Sequence, residues 1–196
     1  MSDHYLYPGM LFAEPHPHRV TTVLGSCIAV CLFDPMCHIG GINHYMLPLW
    51  NGEGLPTPRY GNVAIELLVE RLQLLGCKAS RLQAKIFGGA AMWDNGSSSA
   101  SVGERNIELA WRILDRYGIP VVSSDVGGGA SRKIIFFTGT GEVLLRRKQG
   151  SAPIGPGVGN GVAIGGNACS TVVQLPTETP ELPRAATGKH SFSGRR

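Results

Sequence analysis

Residues 20–33 read Val-Thr-Thr-Val-Leu-Gly-Ser-Cys-Ile-Ala-Val-Cys-Leu-Phe, two β-branched, apolar runs parted by Gly25-Ser26-Cys27. Neither run carries a charge, so both are expected to be extended and buried, with a tight turn between them. Gly25 at the head of that turn admits backbone that other residues avoid and lets a partner come close. A buried strand needs neighbours on both sides, and the sequence offers them. After Asp34-Pro35, residues 39–47 form another extended candidate, in which Gly40-Gly41 allows close backbone approach and Pro48 ends the run. Further strands are predicted at 82–87, 119–124, 133–138 and 142–147, the last two joined by the turn Gly139-Thr140-Gly141.

Helical periodicity is confined to two segments. Over 62–75, Ala64, Leu68, Leu72 and Leu75 share a face opposite Glu66, Glu70 and Gln73, with Asn62 placed to cap the start and Gly76 to take the left-handed position after the end. The second helix opens on Ser101 and Glu104 at capping-box spacing, carries Ile107, Ala110, Trp111 and Leu114 as its stripe, and is stopped by Gly118 and Pro120. The first nineteen residues show no period and read as an irregular arm. Residues 49–60 and 95–100 read as loops. Past residue 150 large apolar groups become scarce, so 1–150 is expected to be one domain and 151–196 a flexible tail rich in Gly, Pro, Ser and Thr. Gly-x-Gly spacings within 155–166 lack the preceding strand that a nucleotide fingerprint requires.

Several function classes fall away on composition. The formal charge of +4 is scattered rather than gathered into a stripe, which argues against nucleic acid. No apolar run approaches the ~20 residues that cross a bilayer, and the start lacks a basic segment followed by a hydrophobic one, so a protein of the cytoplasm is expected, with no membrane insertion. Five cysteines, an odd number in a chain of 196 residues, do not read as a secreted disulfide framework.

Cysteine hydrolysis needs a thiol, a histidine to take its proton and a third group to hold the imidazole. Cys27, just past Gly25-Ser26, suits the nucleophile. His44 lies in the next strand, brought back by the short 34–38 connection. Thr21 can supply the orienting oxygen, since an even separation from Cys27 along one strand places both on one side. Packing is the alternative for any one cysteine, and a satisfied core histidine the alternative for His44. A zinc site from Cys27, Cys31, Cys37 and His38 or His44 lacks paired Cys-x-x-Cys spacing, and His16 and His18 have no further ligand close by. No metal or cofactor is expected.

The run 22–32, Thr-Val-Leu-Gly-Ser-Cys-Ile-Ala-Val-Cys-Leu, followed by Gly40-Gly41-Ile42-Asn43-His44-Tyr45-Met46-Leu47-Pro48, closely resembles the CheD family of chemoreceptor glutamine deamidases. Tyr60-Gly61-Asn62, Ala84-Lys85-Ile86-Phe87-Gly88-Gly89-Ala90, Gly103-Glu104-Arg105-Asn106 and Asp125-Val126-Gly127-Gly128 extend the likeness over about residues 5–150. It departs at Ser131, where the family commonly has glycine. The resemblance implies hydrolysis of glutamine side chains on methyl-accepting chemotaxis receptors, with Cys27 as nucleophile, His44 as base and Thr21 as third catalytic residue. Backbone N–H groups of the Gly-Ser-Cys turn, with Asn43 or Ser26, are expected to serve the oxyanion. The resemblance also implies an α+β fold of packed mixed and antiparallel sheets flanked by helices, similar to cytotoxic-necrotizing-factor-type cysteine deamidases. A CheC-type phosphatase is the partner that some members bind. A non-catalytic adaptor for chemotaxis proteins is the competing reading.

Overall fold

The computed structural model describes residues 1–91 and 100–148, together with the backbone of a short strand at 170–173. The chain opens with β1 (Ser2–Tyr5) and β2 (Met10–Ala13), where the sequence predicts an irregular arm. These strands have no period of their own; they form because the edges of two larger sheets offer unpaired backbone groups to them. The two apolar runs then become β3 (His18–Leu24) and β4 (Ile28–Asp34), with Gly25, Ser26 and Cys27 as the bend between them. Next come β5 (Ile39–His44), helix α1 (Gly61–Leu74), a single 3-10 turn (Ala79–Arg81) and β6 (Gln83–Gly88). Helix α2 (Val102–Arg116) and strands β7 (Val121–Val126), β8 (Ser131–Phe137), β9 (Val143–Lys148) and β10 (Ser170–Val173) follow. Residues 95–99 of the predicted loop and, apart from β10, the predicted tail lie outside the described residues.

These strands form two five-stranded sheets, ordered β1-β3-β8-β9-β10 and β2-β5-β4-β6-β7. Both are mixed. In the second sheet β6 and β7 pair in parallel, which demands a crossover, and α2 supplies it. The bend at 25–27 therefore carries the chain from the first sheet into the second, and any side chain on it sits where the two layers meet.

Two apolar layers result. Val20, Leu24, Ala29, Cys31, Ile42, Phe87, Ile134 and Phe136 fill the space between the sheets. On the far face of the second sheet, Ile28, Val30, Leu32, Tyr45 and Ile86 pack against Leu68 and Leu72 of α1 and Leu109, Ala110 and Ile113 of α2. All seven residues of β4 are buried because that strand faces both layers, as its unbroken apolar run predicts. Each fully buried Leu, Ile or Phe contributes roughly 1.5–3 kcal/mol.

Local signals hold at most helix ends and fail at one. Ser101 and Glu104 form the capping box, and Gly76 (φ 93) and Gly118 (φ 63) take the left-handed position beyond the helices. Asn62 does not cap α1, whose N-cap is Tyr60 with no side-chain bond; Asn62 Oδ1 instead accepts the Trp50 amide at 3.0 Å. On α2 the buried face lies about one residue earlier than the apolar stripe predicts. Asn106, Leu109, Ala110 and Ile113 turn inward, and Trp111 stays 42% exposed. The sheet surface sets which arc of the helix is covered, and it selects an asparagine over a tryptophan.

Candidate active site

Cys27 and His44 come together through strand register. Ile28 and Tyr45 exchange both backbone hydrogen bonds at 3.0 Å, so Cys27 precedes one member of that pair and His44 precedes the other. In this antiparallel register His44 falls opposite Ala29, and Cys27 is its diagonal neighbour on the same face. Diagonal neighbours in a regular ladder are about 7–8 Å apart at Cα, within reach of longer side chains. That face looks into the layer between the sheets, where Cys27 stands half-buried against the core and His44 is only 1% exposed.

The imidazole is held from the opposite sheet, by Thr22. Thr22 Oγ1 lies 2.8 Å from His44 Nδ1 and donates its own proton to the Leu6 carbonyl at 2.8 Å. With its hydrogen committed to Leu6, the hydroxyl accepts from Nδ1–H, which assigns that proton to Nδ1 and leaves a lone pair on Nε2. His44 Nε2 is buried with no hydrogen-bond partner among the described residues. A buried ring nitrogen without a partner, on the face that bears Cys27, has the chemistry a general base requires.

Thr21, the residue that strand counting and the family resemblance select, is not the one on the imidazole. Along β3 the buried positions are Val20, Thr22 and Leu24, and Thr21 projects from the other face with Arg19 and Val23. The period-two count fails because β3 ends at Leu24 and the bend reorients the chain before Cys27. The N-terminal arm was also undervalued by the sequence. Leu6, 1% exposed, donates its amide to Thr21 O at 2.9 Å and supplies the carbonyl that fixes Thr22.

Burial favours the neutral form of both Cys27 and His44. Burial pushes the Cys27 thiol above its ordinary value, opposed by its own backbone amide. Burial lowers His44 to about 4, opposed by the Leu6 carbonyl. Both groups are thus favoured in their neutral forms, a thiol and an imidazole rather than a thiolate and an imidazolium.

Around this pair the backbone is pinned from several directions. Gly89 and Ala90 donate their amides to Cys27 O and Gly25 O, each at 2.8 Å. Gly88 (φ 111) cannot be other than glycine here, because a Cβ would stand 2.1 Å from the Cys27 carbonyl. Asn43 Oδ1 takes the Val30 amide at 3.0 Å, a side chain filling in where β4 and β5 part between the Cys31–Ile42 and Ile28–Tyr45 pairs. Asn106, missed as a site residue by the sequence, reaches Ser26 O and Met46 O from α2. Its signal was available: a carboxamide on the face of a helix that must be buried.

Two other features lie apart from this chemistry. Asp34, Cys37 and Cys77 cluster closely enough to suggest a metal site, but Arg81 already binds Asp34 with both Nε and Nη2. Burial works against ionisation of Asp34, yet Arg81 and the amides of Lys78, Met36 and Cys37 hold its carboxyl well below the usual range. A guanidinium occupies the place a cation would take. A cleft of about 270 Å³ lined by Leu49, Glu66, Leu109 and Arg112 opens on the helix side and includes neither Cys27 nor His44.

Comparison with known proteins gives a consistent family. Residues 46–147 match the family described as CheD chemotactic sensory transduction, a span that begins just after His44. A probable chemoreceptor glutamine deamidase CheD of Trichlorobacter lovleyi is 50% identical over 144 residues, covering 74% of this chain and 89% of its own. The protein of the same name from Sulfurimonas denitrificans is 44% identical over 146 residues, covering 74% and 94%. One from Rhodospirillum rubrum is 42% identical over 154 residues, covering 79% and 87%.

Proposed function

This chain belongs to the CheD family, and from that premise we propose that it hydrolyses glutamine side chains on methyl-accepting chemotaxis receptors, with Cys27 as nucleophile and His44 as general base. The observation that carries the mechanism is the imidazole itself, fixed at Nδ1 by Thr22 and free at Nε2 on the face that bears Cys27. Thr22 takes the orienting role in this reading, in place of Thr21.

In the reaction, Cys27 Sγ bonds to the amide carbon as its proton passes to His44 Nε2. The carbonyl oxygen becomes an oxyanion, for which the Cys27 amide, which already hydrogen-bonds its own sulfur, is a donor. Collapse breaks the C–N bond, and the proton on Nε2 leaves with ammonia. Water then gives a proton to the same nitrogen and attacks the thioester, releasing Cys27 and leaving glutamate. Because the resting pair is neutral, proton transfer accompanies attack rather than preceding it.

Support for a protein substrate comes from the rim. Met10, the register partner of His44, is 54% exposed, and Tyr7 and Leu47 are exposed close by in the chain. Apolar side chains around a buried base suit the face of a receptor helix. A location in the cytoplasm follows from that substrate; among the described residues no helix is long and apolar enough to cross a membrane. Two mixed sheets with helices on one face also support likeness to the cytotoxic-necrotizing-factor-type deamidases, and membership in the family supports a CheC-type phosphatase as a second partner. Residues 1–150 are read as the enzyme domain and 151–196 as an appended tail.

Purified protein incubated with a receptor cytoplasmic fragment should convert glutamine to glutamate, read as a mass change at single peptides. Cys27→Ala and His44→Ala should abolish the conversion while keeping the fold. Unchanged conversion by Cys27→Ala would leave the adaptor reading standing.

A further inference from the structure

We propose that Asn106 is a positioning residue for this hydrolysis, whose one carboxamide nitrogen ties the turn of the nucleophile to the strand of the base. The proposal rests on the reading of Cys27 and His44 given above. Nδ2 donates to Ser26 O at 3.1 Å and to Met46 O at 3.0 Å. Ser26 immediately precedes Cys27, and Met46 lies two residues past His44.

These bonds fall where the two chains part. Beyond the Ile28–Tyr45 pair, the Met46 and Leu47 amides turn to Arg59 O at 2.9 and 3.0 Å, and Cys27 O and Gly25 O accept from Gly89 and Ala90. Each chain is thus drawn toward a different neighbour. Asn106 restores the connection from outside the sheet, as the Asn43 carboxamide does on the other side of the same pair. One backbone bridge flanked by two carboxamides holds the register in which Cys27 and His44 are diagonal neighbours.

The helix is secured to that register in return. Tyr45 Oη donates to the Asn106 backbone carbonyl at 2.6 Å, so the residue between His44 and Met46 holds α2 at the point from which the Asn106 carboxamide reaches out. Asn106 is wholly buried, and its Oδ1 has no partner among the described residues. Asparagine is a poor helix former, and an unpartnered buried oxygen opposes stability. Two donors on one short arm, satisfying both carbonyls, account for asparagine at this position of α2. Leucine has the volume but no donor, and glutamine would push its nitrogen past both carbonyls.

The test uses the full chain with Asn106→Leu and Asn106→Ala, each measured for thermal midpoint, kcat and KM on a receptor fragment, and the alkylation rate of Cys27 by iodoacetamide across pH. Loss of positioning should lower kcat about 10- to 100-fold with KM changed less than about threefold. In the parent, His44→Ala should change the pH profile of Cys27 alkylation; in the Asn106→Leu background it should change it no further. A folded Asn106 variant with kcat within about twofold of the parent, or additive effects of the two substitutions on alkylation, overturns the proposal. If neither variant folds, the parent decides by NMR: slow exchange of both Asn106 side-chain amide protons supports the bridge, and fast exchange overturns it. Deamidation that survives Cys27→Ala sinks the underlying assignment, whereas an inactive Cys27→Ala beside a fully active Asn106→Leu sinks this proposal alone.

Discussion

Thr21 and Thr22 are adjacent and chemically identical, and the site distinguishes them entirely by which way the pleat turns each hydroxyl. Thr22→Val strands the Nδ1 proton of His44 and the Leu6 carbonyl, so kcat should fall on the order of 10- to 100-fold, with little change in KM. Thr21→Val should leave kcat within about twofold of the parent. Steady-state assays on the receptor fragment read both, and the reverse ranking would return the role to Thr21. His44 also shapes stability. Burial holds it at about 4 in the folded protein against an ordinary 6.5, so the unfolded chain binds the proton first as pH falls. Stability from this residue is therefore intact above about 6.5 and is lost as pH falls toward 4, by on the order of 3 kcal/mol. Urea midpoints measured across that window should fall more steeply in the parent than in His44→Gln.

At the scale of elements, the N-terminal arm is part of the candidate site's framework. Strand β1 runs parallel to β3 and delivers Leu6 to the inter-sheet layer, where its carbonyl receives the Thr22 proton. Deleting residues 1–8 should lower kcat about as much as Thr22→Val does, and should lower the thermal midpoint as well, since Leu6 leaves the core. A deletion variant of undiminished kcat would show that water replaces the Leu6 carbonyl without cost. Helix α2 has a comparable double duty. It is the crossover that lets β6 and β7 pair in parallel, and it carries Asn106 to the two chains of the site. Its capping box fixes where the helix begins, and so fixes the height at which Asn106 meets the sheet.

For the whole molecule, the decisive contact is sheet against sheet, because the thiol and imidazole come from one sheet and the orienting hydroxyl from the other. Phe136 on β8 is 1% exposed in the layer between them, and a Cβ on Gly40 would stand 2.8 Å from its ring. Phe136→Ala should cost about 3–5 kcal/mol of folding stability. It should also loosen Thr22 from His44, so activity should decline at temperatures where the variant is still folded. Parallel measurement of circular dichroism and turnover against temperature checks this; coincident loss of both signals would show that the layer matters for stability only.

How much could be read from the sequence follows from which forces are local. The unbroken apolar run 28–33, the helical segments α1 and α2, the capping box at Ser101 and the glycines after each helix are all determined by neighbours in the chain, and each forms as expected. The register that makes Cys27 and His44 diagonal neighbours was legible because a short connection between consecutive strands leaves their pairing little freedom. The strands of the arm, the rotation of α2 that buries Asn106 and exposes Trp111, and the choice of Thr22 over Thr21 were not legible. Each depends on the partner presented by a distant segment: a sheet edge, a sheet face, or the carbonyl of Leu6. Local chain chemistry thus set the central strands, the helices and the register of Cys27 against His44, and tertiary packing decided what holds the imidazole in place, since hydrogen bonds across layers have no period along the chain.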